Sequence, residues 1–310
     1  MLVGSLFTGC YGLDLGLEAA GMETAWACEI DAACRRILAR RRPGLPVASD
    51  VRELGDRLLP VELLAGGFPC QDLSYAGRGA GLDGERSALW FEMARCVRLL
   101  RPPLVVVENV PAIFARGFGR VVYDLAEAGY VGRWFCLSAA SIGAPHIRER
   151  VFIVARRGDV ADAWSVARQA PGQREAEPVE DEVEASLGGP PGRAVDRAAG
   201  RAGPAADAAG AGRPGEGREV EGGRARPRRR IDWGTYERAI RRWEDTLGRP
   251  APRPTDDRGR VTCDFVEWML GFPEGWTEGE AHGQRLKMLG NSVQVQVAEQ
   301  VGRMVLAGVV

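Results

Sequence analysis

The sequence predicts an α/β fold in which a mostly parallel sheet carries helices on both faces. Two observations carry this. Short apolar runs alternate with helix-period segments through the first 155 residues. Chemically capable residues also stand just past several of those runs, at the strand edge where open α/β sheets bind their ligands. At 310 residues and 45% hydrophobic content, the chain has room for one large domain plus a smaller one and enough apolar surface for a globular core.

Taken in order, strands are expected at Leu2–Phe7, Thr24–Glu29, Pro46–Ser49, Val61–Ala65 and Leu104–Glu108. Two more, Trp134–Ser138 and Val151–Ala155, are close enough along the chain to pair antiparallel. Helices are expected at Leu13–Ala20, Ala32–Arg41, Arg86–Leu100 and Arg120–Ala128. The arrangement is Rossmann-like. From Pro171 to Arg230 the composition turns to Gly, Ala, Pro, Arg and Glu with no aromatic residue, too little apolar surface to offset chain entropy, so disorder is expected there. The arginines of 226–230 read either as a solvated tail or as a nonspecific phosphate contact. Order returns at Ile231, where Tyr236, Ala239, Ile240, Trp243 and Leu247 recur at helical spacing and are expected to pack on Phe265, Trp268 and Met269. A last helix, Val293–Leu306, has apolar residues at 293, 297, 301 and 304.

The segment Gly66-Gly67-Phe68-Pro69-Cys70-Gln71-Asp72 follows a short apolar run and presents a cysteine on a tight loop. Two glycines allow close backbone approach, Pro69 fixes one dihedral, and polar residues follow, so the thiol is exposed for chemistry rather than packed as a small hydrophobe. Further on, Leu104-Val105-Val106-Val107-Glu108-Asn109 reads as a buried parallel strand with a carboxylate at its carboxyl end. The other cysteines, Cys10, Cys28, Cys34, Cys96, Cys136 and Cys263, form no CxxC pair, so packing roles, a reducing compartment and no metal site are expected. No apolar stretch approaches the roughly 18 residues of a membrane span, and Met1–Gly9 lacks the basic start of a secretory signal, which makes the cytoplasm the expected compartment. The net charge of −1 gives no global signature of a nucleic-acid partner, although a local arginine cleft would suffice.

The pair of motifs PCQ and ENV resembles the DNA cytosine-5 methyltransferase family, and the likeness extends along the chain. Leu6–Leu17 resembles the family's first cofactor loop, and Glu29–Asp31 and Asp50-Val51 fall at its ribose and adenine contacts. Arg148-Glu149-Arg150 resembles the RxR motif, Gly271-Phe272-Pro273 the motif closing the recognition region, and Gly290-Asn291-Ser292-Val293 the last motif. The resemblance implies a seven-stranded S-adenosylmethionine-dependent methyltransferase sheet at 1–157 and 285–310, with a smaller target-recognition domain at 158–284. It implies that Cys70 attacks C6 of cytosine, that Glu108 contacts N3 and the amino group, that Arg150 contacts O2, and that Arg148 holds the catalytic loop or the phosphate. Alternatively the two arginines pair with Glu149 or Asp72. The implied cofactor residues are Phe7, Gly9, Gly12, Glu29, Asp50, Pro69, Asn291 and Val293.

Double-stranded DNA is the implied substrate, with the target base flipped out and the glycine-rich stretch Gln71–Gly84 closing over it. A monomer is expected, and a cognate restriction endonuclease is a candidate partner. Methylation of tRNA by the same chemistry, or a silent DNA-binding regulator, are the alternatives; intact Cys70, Glu108, Arg148 and Arg150 weigh against silence. Two residues depart from the family pattern: Tyr11 stands where a glycine is usual, and His146 where Gln commonly precedes RxR.

Overall fold

The computed structural model describes residues 1–55, 59–69, 88–115, 117–158 and 231–309. Cys70, the glycine-rich stretch after it and the segment 171–230 lie outside the described residues. Residues Met1–Ala170 and Ile231–Val310 group as one compact unit.

A seven-stranded sheet runs in the order β3-β2-β1-β4-β5-β7-β6. Its strands are β1 (Leu2–Leu6), β2 (Glu23–Cys28), β3 (Val47–Ala48), β4 (Leu63–Gly66), β5 (Leu104–Asn109), β6 (Tyr130–Ser138) and β7 (Glu149–Arg157). The first five are mutually parallel. β7 is antiparallel to both of its neighbours, β5 and β6, so the expected antiparallel pair forms and is also inserted against the central sheet. The winding reverses between β1 and β4, with β2 and β3 on one side and β5 on the other. That is the switch point at which a crevice opens beyond the carboxyl ends of the strands.

Side chains alternate across the central strands and supply two cores. Leu64, Val105 and Val107 face one side, where they meet Trp90, Met93 and Val97 of α3 (Ala88–Leu100) and Val121 and Leu125 of α4 (Phe118–Glu127). A buried hydrogen bond of 2.7 Å from Trp90 Nε1 to Asp124 ties these two helices. Leu63, Ala65 and Val106 face the other side, against Leu13 and Leu17 of α1 (Gly12–Ala19) and Val297, Ala298 and Val301 of the last helix. Each large apolar side chain so buried contributes roughly 2 kcal/mol. A third cluster joins Ile37 and Leu38 of α2 (Ala32–Arg41) to Phe272, Trp276 and Leu289.

Beyond the undescribed segment come α5 (Glu237–Leu247), α6 (Cys263–Met269), α7 (His282–Asn291) and α8 (Val295–Leu306). Ile240 and Trp243 of α5 are buried against Trp268, Ala139 and Ala144, with Phe265 and Met269 at the margin. Tyr236 differs from expectation: it precedes the helix proper and is 66% exposed. Cys136 also differs, being exposed on the edge strand β6, whereas Cys10, Cys28, Cys34, Cys96 and Cys263 are buried. The last helix packs on the sheet as expected but begins at Val295, and Val305 rather than Met304 completes its buried face.

Two features lock α1, the helix that opens the first loop toward the crevice. Gly16 lets α8 approach so closely that a Cβ there would overlap Ala298 and the carbonyl of Val295. Tyr11 caps α1 with left-handed backbone, φ 80° and ψ 19°, the geometry a glycine would supply freely. Its ring offsets the strain. It is fully buried, lies 6.3 Å from the Trp276 ring, is covered by the Arg42 guanidinium at 5.2 Å, and donates its hydroxyl to Glu18 at 2.7 Å.

Helix propensity alone makes Gly16→Ala stabilising by about 1 kcal/mol; the packing predicts the opposite sign, a loss of about 1–3 kcal/mol in urea unfolding. Tyr11→Gly is expected to lose about 2 kcal/mol despite relief of backbone strain. Tyr11→Phe, which keeps the ring, is expected to lose only about 1 kcal/mol. An unchanged midpoint for Gly16→Ala, or a gain for Tyr11→Gly, contradicts this packing.

Candidate active site

All five parallel strands deliver their carboxyl ends to one edge, so the loops after β1, β2, β3, β4 and β5 meet around the switch point. β7 runs the other way, and its amino-terminal end therefore arrives at the same edge. The register sets Asn109 opposite Val151 and Glu108 opposite Phe152, which brings Arg150 to the tip of β5.

There Arg150 Nε lies 2.7 Å from Glu108 Oε1 in an ion pair whose two side chains are only 11% and 14% exposed. Of the sequence alternatives for this arginine, Glu149 gives it only a backbone carbonyl, at 2.8 Å; Asp72 lies outside the described residues. Burial pushes the Glu108 carboxyl above the usual carboxylate range, against the opposing pull of Arg150 and Arg148. Arg148 forms no ion pair among the described residues. Its Nη2 donates to the carbonyls of Gly290 at 2.6 Å and Ser292 at 2.5 Å, which ties the RxR motif to the loop before α8. Burial, aided by the neighbouring Arg150, lowers its guanidinium to about 10.

The β4 loop is held against this pair. A Cβ on Gly67 would overlap Glu108 Oε2, so only glycine lets the backbone pass there. Asn109 Nδ2 donates to the carbonyl of Phe68 at 3.2 Å, and the Phe68 ring packs 5.4 Å from Trp90. The described chain thus passes Glu108 at Gly67 and is tied to Asn109 at Phe68; Pro69 follows, and Cys70 lies outside the described residues. Sequence reading gave Asn109 no role of its own, although the motif carrying Glu108 includes it.

On the other side of the switch point, Phe7 and Gly9 take positive φ of 55° and 58°. That turn aims Gly9 N at Glu29 Oε2, 2.6 Å away, while Asp31 N donates to Glu29 Oε1 at 2.7 Å. Burial raises the Glu29 carboxyl, and each oxygen keeps a free lone pair able to accept from a hydroxyl. Asp50 accepts from Arg52 N at 2.9 Å and pairs with Arg52 Nη2 at 2.5 Å; those bonds hold its carboxyl below the usual range. A Cβ on Gly12 would overlap Ser292 Oγ and sit 2.9 Å from the carbonyl of Val293, so the first loop and the last motif are in direct contact. Val293 is buried and Asn291 exposed at the end of α7.

A strand-end carboxylate with spare acceptor capacity at Glu29, a left-handed glycine turn uncrowded at Gly9, and a glycine-tight wall form a cradle that fits a nucleoside with a charged tail. The structure therefore brings Glu108, Arg150 and Arg148 together on one side, and Phe7, Gly9, Gly12, Glu29 and Val293 on the other.

Comparison with known proteins agrees with this geometry. The sequence profile of the family described as C-5 cytosine-specific DNA methylase matches residues 1–186. The chain is 37% identical over 164 residues to the Type II methyltransferase M2.BsuMI of Bacillus subtilis, a match covering 50% of this chain and 42% of that one. It is 35% identical over 175 residues to the Type II methyltransferase M.AquIA of Picosynechococcus, covering 49% of this chain and 71% of the relative. The chain thus spans less than half the length of M2.BsuMI and about seven-tenths of M.AquIA. Among solved structures, Entamoeba histolytica methyltransferase EhMeth superposes with a TM-score of 0.61 at 13% identity, covering 100% of this chain and 99% of that one. S. pombe Dnmt2 methyltransferase superposes with a TM-score of 0.58 at 15% identity over 99% of each chain. The fold is that of S-adenosylmethionine-dependent methyltransferases, and the chain belongs to the C-5 cytosine-specific DNA methylase family.

Proposed function

We propose that this chain transfers a methyl group to C5 of cytosine in double-stranded DNA, through a covalent bond between Cys70 and a flipped-out base. The observation that carries the reading is the buried Glu108–Arg150 pair, held by Gly67 and Asn109 against the loop that leads into Cys70. Cys70 follows Phe68 by two positions, a span of at most about 7 Å of chain.

S-adenosylmethionine supplies the methyl group as an electrophile on a sulfonium. C5 of cytosine is too weak a nucleophile to take it directly. The Cys70 thiolate adds to C6, the ring electrons shift toward N3, and Glu108 delivers a proton there; C5 becomes enamine-like and takes the methyl group as its bond to sulfur breaks, the neutral thioether being the leaving group. Burial raises the Glu108 carboxyl in the direction that proton delivery requires. Arg150, fixed by its ion pair, presents its remaining N–H groups to O2. The arginines also favour the thiolate form of a nearby cysteine. Loss of the C5 proton to water, return of the N3 proton to Glu108 and expulsion of the thiolate close the cycle. Glu29 accepts from the ribose hydroxyls and Asp50 from the adenine amino group, while Phe7, Gly9, Gly12, Pro69, Asn291 and Val293 line the rest of the donor's pocket.

Because the reacting face of a paired cytosine is covered, the base must leave the duplex to reach this edge. Target recognition falls to residues 158–284, which include most of the stretch between the RxR and GFP motifs. The Type II names of the relatives support a restriction-modification setting, with this chain acting as a monomer in the cytoplasm beside a cognate endonuclease.

Glu108→Gln keeps the shape but cannot deliver a proton in the same way; turnover is expected to fall by about 10²-fold or more with S-adenosylmethionine binding unchanged. Cys70→Ala is expected to abolish transfer, and measurable turnover in that variant rules out the covalent route. With labelled S-adenosylmethionine offered duplex DNA and tRNA side by side, label is expected in DNA; label in RNA alone contradicts the substrate assignment.

A further inference from the structure

The two carboxylates on the cofactor side differ in what they have left to offer. Glu29 takes one backbone N–H on each oxygen and keeps a lone pair on each. Asp50 keeps none. A carboxylate offers about four acceptor positions. At Asp50, Oδ1 accepts from the backbone N and the Nε of Arg52, both at 2.9 Å, while Oδ2 accepts from the same Nε at 3.1 Å and from Nη2 at 2.5 Å. The group assigned to the adenine amino contact is therefore filled by its own chain, two residues on.

Asp50 cannot turn away from that grip. β3, which leads to it, pairs with β2 through only Val47 and Ala48, so the sheet holds the segment weakly. The hold comes from α3 instead. Asp50 caps a 3-10 turn, Val51–Glu53, and Arg95 of α3 fastens both ends of it: Nη2 donates to the carbonyl of Val51 at 2.8 Å and Nη1 to that of Leu54 at 2.6 Å. Glu92 fixes the same guanidinium through Nε at 2.7 Å, and the Val51 side chain is buried in the first core. The cap bond from Arg52 N to Oδ1 belongs to this turn and stays with it. What can move is the Arg52 side chain. It is 63% exposed, and Asp50 is the one hydrogen-bond partner of its guanidinium among the described residues. An exposed ion pair of this kind is weak, so an incoming N–H can displace it at a small cost in affinity.

We propose that Arg52 competes with the cofactor's adenine for Asp50: its guanidinium leaves Oδ2 when S-adenosylmethionine binds, and that exchange lowers the affinity for the cofactor. The inference rests on the reading of Asp50 as acceptor of the adenine amino group. It gives Arg52 the opposite sign to a binding residue, because its removal tightens the complex.

The test needs no DNA. Calorimetry on the full chain measures Kd for S-adenosylhomocysteine and for its analogue with hydrogen in place of the 6-amino group. Arg52→Met keeps the stem and removes the donors; it is expected to tighten S-adenosylhomocysteine about three- to fivefold and to leave the Kd of the analogue, which has no amino group to gain from a freed Oδ2, unchanged. Adding Asp50→Ala to Arg52→Met is expected to abolish that gain. Unchanged or weaker binding of S-adenosylhomocysteine by Arg52→Met overturns the proposal, the weaker result marking Arg52 as a residue that orients Asp50. Equal tightening of both ligands also overturns it, because that marks a general effect of charge. A double variant that binds S-adenosylhomocysteine as tightly as Arg52→Met alone removes the adenine assignment of Asp50 and this competition with it, a result separate from the others; the DNA reading stands or falls on its own assay.

Discussion

The site depends on one ion pair. Glu108 and Arg150 lie 2.7 Å apart at the tip of β5, largely withdrawn from water. Such a pair is expensive to desolvate and weak evidence for stability, so its presence needs a functional account. Geometry explains how it forms. Five parallel strands bring only their carboxyl ends to the crevice, and a sixth parallel strand would bring another carboxyl end. β7 is antiparallel and delivers its amino end instead, which places the RxR motif over Glu108. The reversed strand is thus what lets Arg150 meet Glu108.

The same withdrawal from water orders the charges around the pair. It raises Glu108, lowers Arg148 to about 10 and lowers His146 to about 4, so one buried environment acts in opposite directions on acid and base. Arg148 stays cationic at neutral pH and its carbonyl partners join the RxR motif to the loop before α8. That loop in turn presses Ser292 and Val293 against Gly12 at the head of α1. The tip of β5 and the first loop are consequently linked through β7 and the loop before α8, by Glu108–Arg150 at one end and Arg148–Ser292–Gly12 at the other.

Much of this was legible in the residues. The strands around Val106 and Ile153 and the helices at 32–41 and 88–100 follow from apolar period and length, and Glu108 at a strand end follows from where its valine run stops. Pair identity was not legible. Arg150 had Glu149 beside it in sequence and Glu108 far away, and only the β5–β7 register decides between them. Exposure at an edge was equally hidden: Cys136 has a core-like residue type, but β6 is the last strand of the sheet and pairs with β7 alone among the described residues. Tyr11 shows tertiary packing overriding a local rule. Its left-handed backbone is unfavourable for a tyrosine, and the distant Trp276, Arg42 and Glu18 that hold it cannot be read from the loop itself.

In the proposed mechanism Cys70 bonds to C6 while the methyl group arrives at C5. Fluorine at C5 cannot leave as the proton does, so a duplex containing 5-fluorocytosine at the target stalls the cycle after methyl transfer. Mass spectrometry of the wild-type chain incubated with that duplex and S-adenosylmethionine should find a protein–DNA adduct carrying the methyl group, mapped to the peptide containing Cys70. A chain that methylates ordinary DNA yet forms no adduct, or forms one at another residue, contradicts the account.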